Sequence, residues 1–112
     1  MPEIERPHLI TIEQIRTFIC DDKYLFYTHA VIEAKKDGVE PEDIVYVILN
    51  GKIIEQYPER SRLLIYGKML NNLPLHVVCS YSDTELLYVV TVYIPSSIEW
   101  IANFQKRKLR RK

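Results

Sequence analysis

The sequence predicts an α+β domain, with N-terminal helices packed on one face of a roughly four-stranded antiparallel sheet and a short C-terminal helix. Three observations carry that reading. Apolar residues recur at helical spacing up to about residue 50, and at alternate positions from residue 52 onward. The alternating runs are separated by about 4–5 residues, which suits hairpins in a meander. Within each run one set of positions is apolar and the other polar, the pattern of a sheet covered on one side only. With 112 residues, 47% of them apolar and 27% charged, the chain is long enough for one hydrophobic core.

Thr11 and Gln14 form a capping-box pattern, and Ile12, Ile15 and Ile19, with Phe18 beside them, continue it as a first helix over about 11–20. Asp21, Asp22 and Lys23 end it in a polar turn, and 24–27 is a short aromatic lead-in. A second helix runs from Thr28 as N-cap to Gly38 as stop. His29, Ile32, Glu33 and Lys36 share one face of it, while the small Ala30 and Ala34 permit close approach to a neighbour. A third helix begins at Pro41 with Glu42 and Asp43 in its first turn. It carries Ile44, Val47 and Ile48 as its stripe and stops at Gly51.

Four strands follow, at 52–57, 62–70, 75–82 and 86–94. Leu63, Ile65, Leu75, Val77, Cys79, Val90 and Val92 fall on the apolar face; Arg62, Tyr66, His76, Ser80, Thr91 and Tyr93 fall on the other. Ser96 with Glu99 forms a second capping box, and Trp100 and Phe104 at i, i+4 extend it into a terminal helix. Residues 1–105 therefore read as a single domain and 106–112 as a basic tail.

The net charge is zero, but it is unevenly spread. Six of the 15 Lys and Arg lie in the last seven residues, leaving nine against 15 acidic residues and a body of −6. The tail reads either as a local phosphate-binding patch or as a solvated, frayed end. Cys20 and Cys79 stand far apart in apolar surroundings and read as buried thiols rather than zinc ligands. No apolar run reaches the roughly 18 residues of a membrane span, and the MPEIERPH start has no leader character, so the expected compartment is the cytoplasm.

No phosphate-binding Gly loop, Gly-x-Ser-x-Gly elbow, His-Glu-x-x-His or paired-Cys metal site is present, so no cofactor and no metal are expected. The chemistry-bearing candidates are His76, His29 and Tyr93, with Lys36, Arg60 and Arg62 as phosphate contacts. His76 interrupts an apolar strand and His29 opens a helix. Histidine is the side-chain type suited to acid/base work near neutral pH, though each of the two also reads as a locally hydrogen-bonded residue. Arg60 and Arg62 bracket Ser61 at a strand start and can fork onto a phosphate, or onto Glu55 or Glu59. Cleavage of RNA by its own 2′-OH needs a base, an acid and cations for the developing charge, and these residue types can supply them without a metal.

Several segments resemble one bacterial family of small proteins with a domain of unknown function. They are Tyr-Thr-His-Ala (27–30), Lys-Lys-Asp-Gly-Val (35–39), Asn-Gly-Lys-Ile-Ile-Glu-Gln-Tyr-Pro (50–58), Leu-Pro-Leu-His-Val-Val (73–78) and Val-Thr-Val-Tyr-Ile-Pro (90–95), with Trp100. Its members resemble RelE-like toxins of the barnase, EndoU, colicin and RelE grouping, some of them encoded beside a zinc-finger antitoxin-like protein. The resemblance spans about residues 24–104. It implies helices on a curved antiparallel sheet, a ribonuclease toxin and a protein partner, with His29, His76, Thr91, Tyr93 and Trp100 matching the family pattern. Glu33 and Asp37 stand where many members carry Arg. That weakens phosphate attraction on the second helix, or moves the cationic role to Lys36, Arg60 and Arg62. The expected function is thus a metal-independent, RNA-cleaving toxin. The alternative is a non-catalytic protein- or RNA-binding module on the same fold.

Overall fold

A computed structural model describes residues 9–82, 86–96, 100–101 and 104–107. Three helices, α1 (Ile12–Cys20), α2 (Thr28–Lys36) and α3 (Pro41–Asn50), lie against a five-stranded sheet. Its strands are β1 (Tyr24–Phe26), β2 (Lys52–Tyr57), β3 (Arg62–Lys68), β4 (Pro74–Tyr81) and β5 (Leu87–Tyr93), in the order β1-β5-β4-β3-β2. β2 to β5 form the expected antiparallel meander. The fifth strand is the aromatic lead-in, which pairs parallel to β5 from Tyr24↔Leu87 to Phe26↔Val89. Three residues are too few to show a period of two, so local pattern could not identify β1.

The helix signals act as expected, with one shift. Thr11 caps α1 reciprocally: the Gln14 N–H donates to Thr11 Oγ1 at 3.2 Å, and the Thr11 N–H donates to Gln14 Oε1 at 2.9 Å. The N-cap of α2 is Tyr27, one residue before Thr28, and no side chain caps it. Gly38 ends that helix at φ +75°, in the left-handed region that glycine enters at no steric cost. Glu40 caps α3, its N–H donating to Asp43 Oδ2 at 2.9 Å, and Pro41 takes the first helical position.

The core lies between the helices and one sheet face. Ile15, Ile19, Ala30, Ala34, Ile44, Val47 and Ile48 meet Leu63, Ile65, Leu75, Val77, Cys79, Leu87, Val89 and Val92. The register shifts on β5 between Val89, opposite Cys79, and Thr91, opposite Val78. Val90 is the extra residue of that bulge, so Val89 rather than Val90 enters the core. A second bulge at Ile53/Glu55 turns Glu55 to the opposite, outer face, across from Leu64.

Two expectations are corrected. The segment from Trp100 is not a helix: β6 (Trp100–Ile101) pairs antiparallel with β7 (Lys106–Arg107), and Phe104 turns between them at φ +66°, where a right-handed helix cannot pass. An i, i+4 aromatic pair fits a short strand and the turn that follows it as well as a helix face. Glu99 of the proposed capping box and Lys108–Lys112 of the tail lie outside the described residues, whereas Lys106 and Arg107 join the fold. Cys20 is exposed rather than buried; Cys79 is buried, and burial pushes its thiol up to about 12. Among the described residues no helix is long and apolar enough to cross a membrane, and no group of three His, Cys, Asp or Glu is placed to hold a metal ion.

Candidate functional site

The candidate residues concentrate on the outer sheet face, and the strand register sorts them into rows. One row is Lys52, Tyr66, His76 and Tyr93; the next is Glu55, Leu64, Val78 and Thr91; the third is Tyr57, Arg62, Ser80, Tyr88 and Leu25. Sequence alternation anticipated an open polar face. The first row is not open: His76 is 0% exposed, because the Tyr66 and Tyr93 rings flank it edge-on at 5.9 and 5.1 Å and the Phe104 backbone meets it. A segment 28 residues away in sequence thus closes the polar face over its central imidazole.

Both ring nitrogens of His76 are engaged. Nε2 lies 2.6 Å from the Phe104 carbonyl oxygen and Nδ1 lies 3.1 Å from the Tyr93 hydroxyl. A carbonyl only accepts, so Nε2 carries the proton. In the neutral ring Nδ1 then accepts from the Tyr93 O–H. Burial pushes the imidazole below its ordinary value; the Phe104 carbonyl and the Glu55 charge oppose this, and the Arg107 charge adds to it. His76 is therefore neutral at pH 7, and it orients the Tyr93 hydroxyl.

Beside this row, Arg107 forks onto Glu55. Its Nε donates to Oε2 at 2.9 Å and its Nη2 to Oε1 at 3.2 Å. The Tyr57 hydroxyl donates to the same carboxylate at 2.7 Å. That bond, with burial and the Glu55 charge, raises the Tyr57 phenol, with Arg107 opposing, so Tyr57 keeps its proton. A two-bond charged fork holds its geometry better than a point contact, and here it fastens β7 to the edge strand β2. Arg107→Ala is expected to cost about 1–2 kcal/mol, because it leaves a largely buried carboxylate half-satisfied. A urea titration checks this, and an unchanged midpoint would show that the fork does not hold the hairpin.

The other candidates scatter. His29 is exposed at the start of α2, on the helical layer across the sheet from His76. Lys36 is exposed in the last turn of the same helix and pairs with Glu33 at 3.1 Å. Arg60 is exposed in the turn Pro58–Arg60, and Arg62 is exposed on the third row. Among the described residues neither arginine is paired with Glu55 or Glu59; Arg107 holds Glu55 instead. The third row is open, with Leu25 53% and Tyr57 38% exposed, and the ring of Tyr27, beyond the row, meets Tyr88 edge-on at 5.9 Å.

Sequence reading singled out His76 and Tyr93 but not Glu55, Tyr57 or Arg107 as site residues. Glu55 stood only as a possible partner for Arg60 or Arg62, and Arg107 was counted in the tail. The two lie 52 residues apart, and no local signal joins them.

A family model described as a domain of unknown function (DUF4258) matches residues 26–94, more than half of the chain. That span includes every candidate site residue named from the sequence and ends before Arg107. Comparison with curated proteins and with solved structures gives no match.

Proposed function

This chain belongs to the DUF4258 family, whose function is unknown, and on the chemistry of its outer face we propose that it is a toxin-type ribonuclease that cleaves RNA without a metal. The observation that carries the reading is the His76–Tyr93 hydrogen bond, with Glu55 and Arg107 close enough to act on His76 electrostatically. A phenol whose proton already points at a neutral imidazole is a relay. The Tyr93 oxygen takes the proton of the RNA 2′-OH as its own proton passes to His76 Nδ1. The 2′ oxygen attacks the adjacent phosphorus, the bond to the 5′ oxygen breaks, and the proton returns by the same route to that leaving oxygen. The products are a 2′,3′-cyclic phosphate and a 5′-hydroxyl. Arg107 faces the charge that develops on the phosphorane.

In this reading RNA reaches Tyr93 from the open third row. Tyr57 and Tyr88 offer ring faces for bases, and Arg60 and Arg62 contact phosphates. His29 and Lys36, on the helical layer, take no part in the step. The likeness to RelE-like toxins and a zinc-finger antitoxin partner belong to the same proposal; the partner would cover the outer face.

The test is incubation of the purified chain with a long single-stranded RNA in EDTA across pH 5–8. Cleavage should rise with pH through a value below 6.5, because burial lowers His76 and only its neutral form accepts the proton. Intact RNA over that whole range would remove the cleavage reading for the isolated protein.

The second reading is a binding module without catalysis, favoured by the complete enclosure of His76. The salt dependence of RNA binding separates it from an RNA-contacting enzyme. Phosphate contacts release counterions and give a steep slope; no RNA binding would turn the search to a protein partner.

A further inference from the structure

We propose that the end of the first outer-face row beyond Tyr66 is a phosphate subsite, formed by Lys52 and Lys68 in a cavity of about 280 Å³. Asn50, Lys52, Tyr66, Lys68 and Gln105 line it together with Gly51 and Gly67, and among the described residues no carboxylate does. Lys52 pairs directly across from Tyr66. Lys68 lies two residues beyond Tyr66 on β3, so it stands on the same face, roughly 7 Å along the strand. Two lysines therefore border one tyrosine within a chain whose body is acidic. Among the described residues neither lysine is in an ion pair. The volume sits at the small end of ligand pockets and suits a phosphate with its sugar better than a larger cofactor.

An objection comes from α3, which ends at Asn50 and presents its negative end here. A helix end amounts to about half a charge, against two full charges from the lysines. It is also partly answered from behind, since Arg16 Nη2 donates to the Gly51 carbonyl at 2.9 Å. The balance at the cavity favours an anion.

The row continues from Tyr66 through His76 to Tyr93. By strand spacing Tyr66 stands roughly 10 Å, and Lys52 roughly 14 Å, from the Tyr93 row position. That separation suits a phosphate further along the same strand of RNA than the next one, on a path outside the Phe104 and Gln105 backbone that covers His76. The subsite thus deepens the ribonuclease reading and rests on it for the identity of the ligand as RNA, but the anion site itself can be tested without cleavage.

The experiment titrates the full chain with inorganic phosphate and with adenosine 3′-monophosphate, using adenosine as the uncharged control and backbone amide shifts as the readout. Both anions should move Gly51, Gly67 and Gln105, and adenosine should not. Lys52→Gln with Lys68→Gln should weaken the nucleotide at least tenfold with an unchanged circular dichroism spectrum. In the RNA assay the same double variant should raise KM and leave kcat. Shifts centred instead on Arg60 and Arg62, or full affinity in the double variant, would overturn the subsite even if RNA is cleaved. Binding at the cavity without RNA cleavage would uphold the subsite and count against the ribonuclease.

Discussion

Tyr93→Phe should lower RNA cleavage by about 100-fold or more while the protein stays folded, since a positioned proton-transfer group contributes about that much. The substitution removes one hydroxyl and leaves the ring against His76. The stability cost is about 1 kcal/mol, the net value of one hydrogen bond. His76→Ala should also abolish cleavage, but for two reasons at once. It removes the acceptor of the relay, and it empties a fully buried position whose two partners, the Tyr93 hydroxyl and the Phe104 carbonyl, lose their bonds. The combined cost is about 3–5 kcal/mol, a large part of a small domain's stability. Tyr93→Phe is thus the cleaner probe. Full cleavage by that variant would take the phenol out of the mechanism and leave the His76–Tyr93 bond as a structural one.

The same imidazole makes stability depend on pH. Its folded value lies below its unfolded value, so the unfolded chain binds the proton more readily. The stability contributed by neutral His76 is present above about pH 6.5 and is lost as pH falls from there through the lower folded value. A urea midpoint that drops over this window in the native protein, and drops less in a folded His76 variant such as His76→Gln, is the expected result.

Gly51→Ala is expected to be the most damaging single methyl group, at about 3 kcal/mol and a Tm fall of roughly 10–20 °C. Gly51 and Gly67 face each other where the end of α3 meets β3. A Cβ on Gly51 would run into the Tyr66 carbonyl and come within 2.6 Å of the Val47 carbonyl, both of them backbone that cannot swing away. Gly38→Ala is the useful contrast. Its φ of +75° is strained for alanine, but nothing lies within 4 Å of the added carbon, so about 1 kcal/mol is expected. Thermal unfolding of the two variants ranks them, and equal losses would mean that the α3–β3 contact yields more than packed backbone should.

Reading the sequence went furthest where the interaction is local. Thr11 with Gln14, Gly38 after Lys36 and Pro41 before an apolar stripe each act within a turn, and each lies at the end of a helix as expected. The alternation of Leu63, Ile65, Leu75 and Val77 placed His76 on the outer face, because a strand's period is two whatever surrounds it. The same rule failed at Val90, where a bulge resets the phase, and at Tyr24–Phe26, where a parallel pairing with distant β5 makes the strand.

The sequence by itself therefore determined the first three helices, the meander and, Val90 aside, which meander residues face away from the core. Those follow from spacings of two to four residues and from backbone preferences that act on each residue separately. Only the tertiary structure decided that the C-terminal segment forms a hairpin, that its Phe104 carbonyl closes over His76, and that Arg107 reaches Glu55. Those contacts join residues 28 and 52 positions apart. Nothing in the local pattern of either partner specifies the other, since the energy that selects them comes from burial and charge pairing once the sheet has formed. The sheltering of His76 behind the Tyr93 phenol was decided at that level.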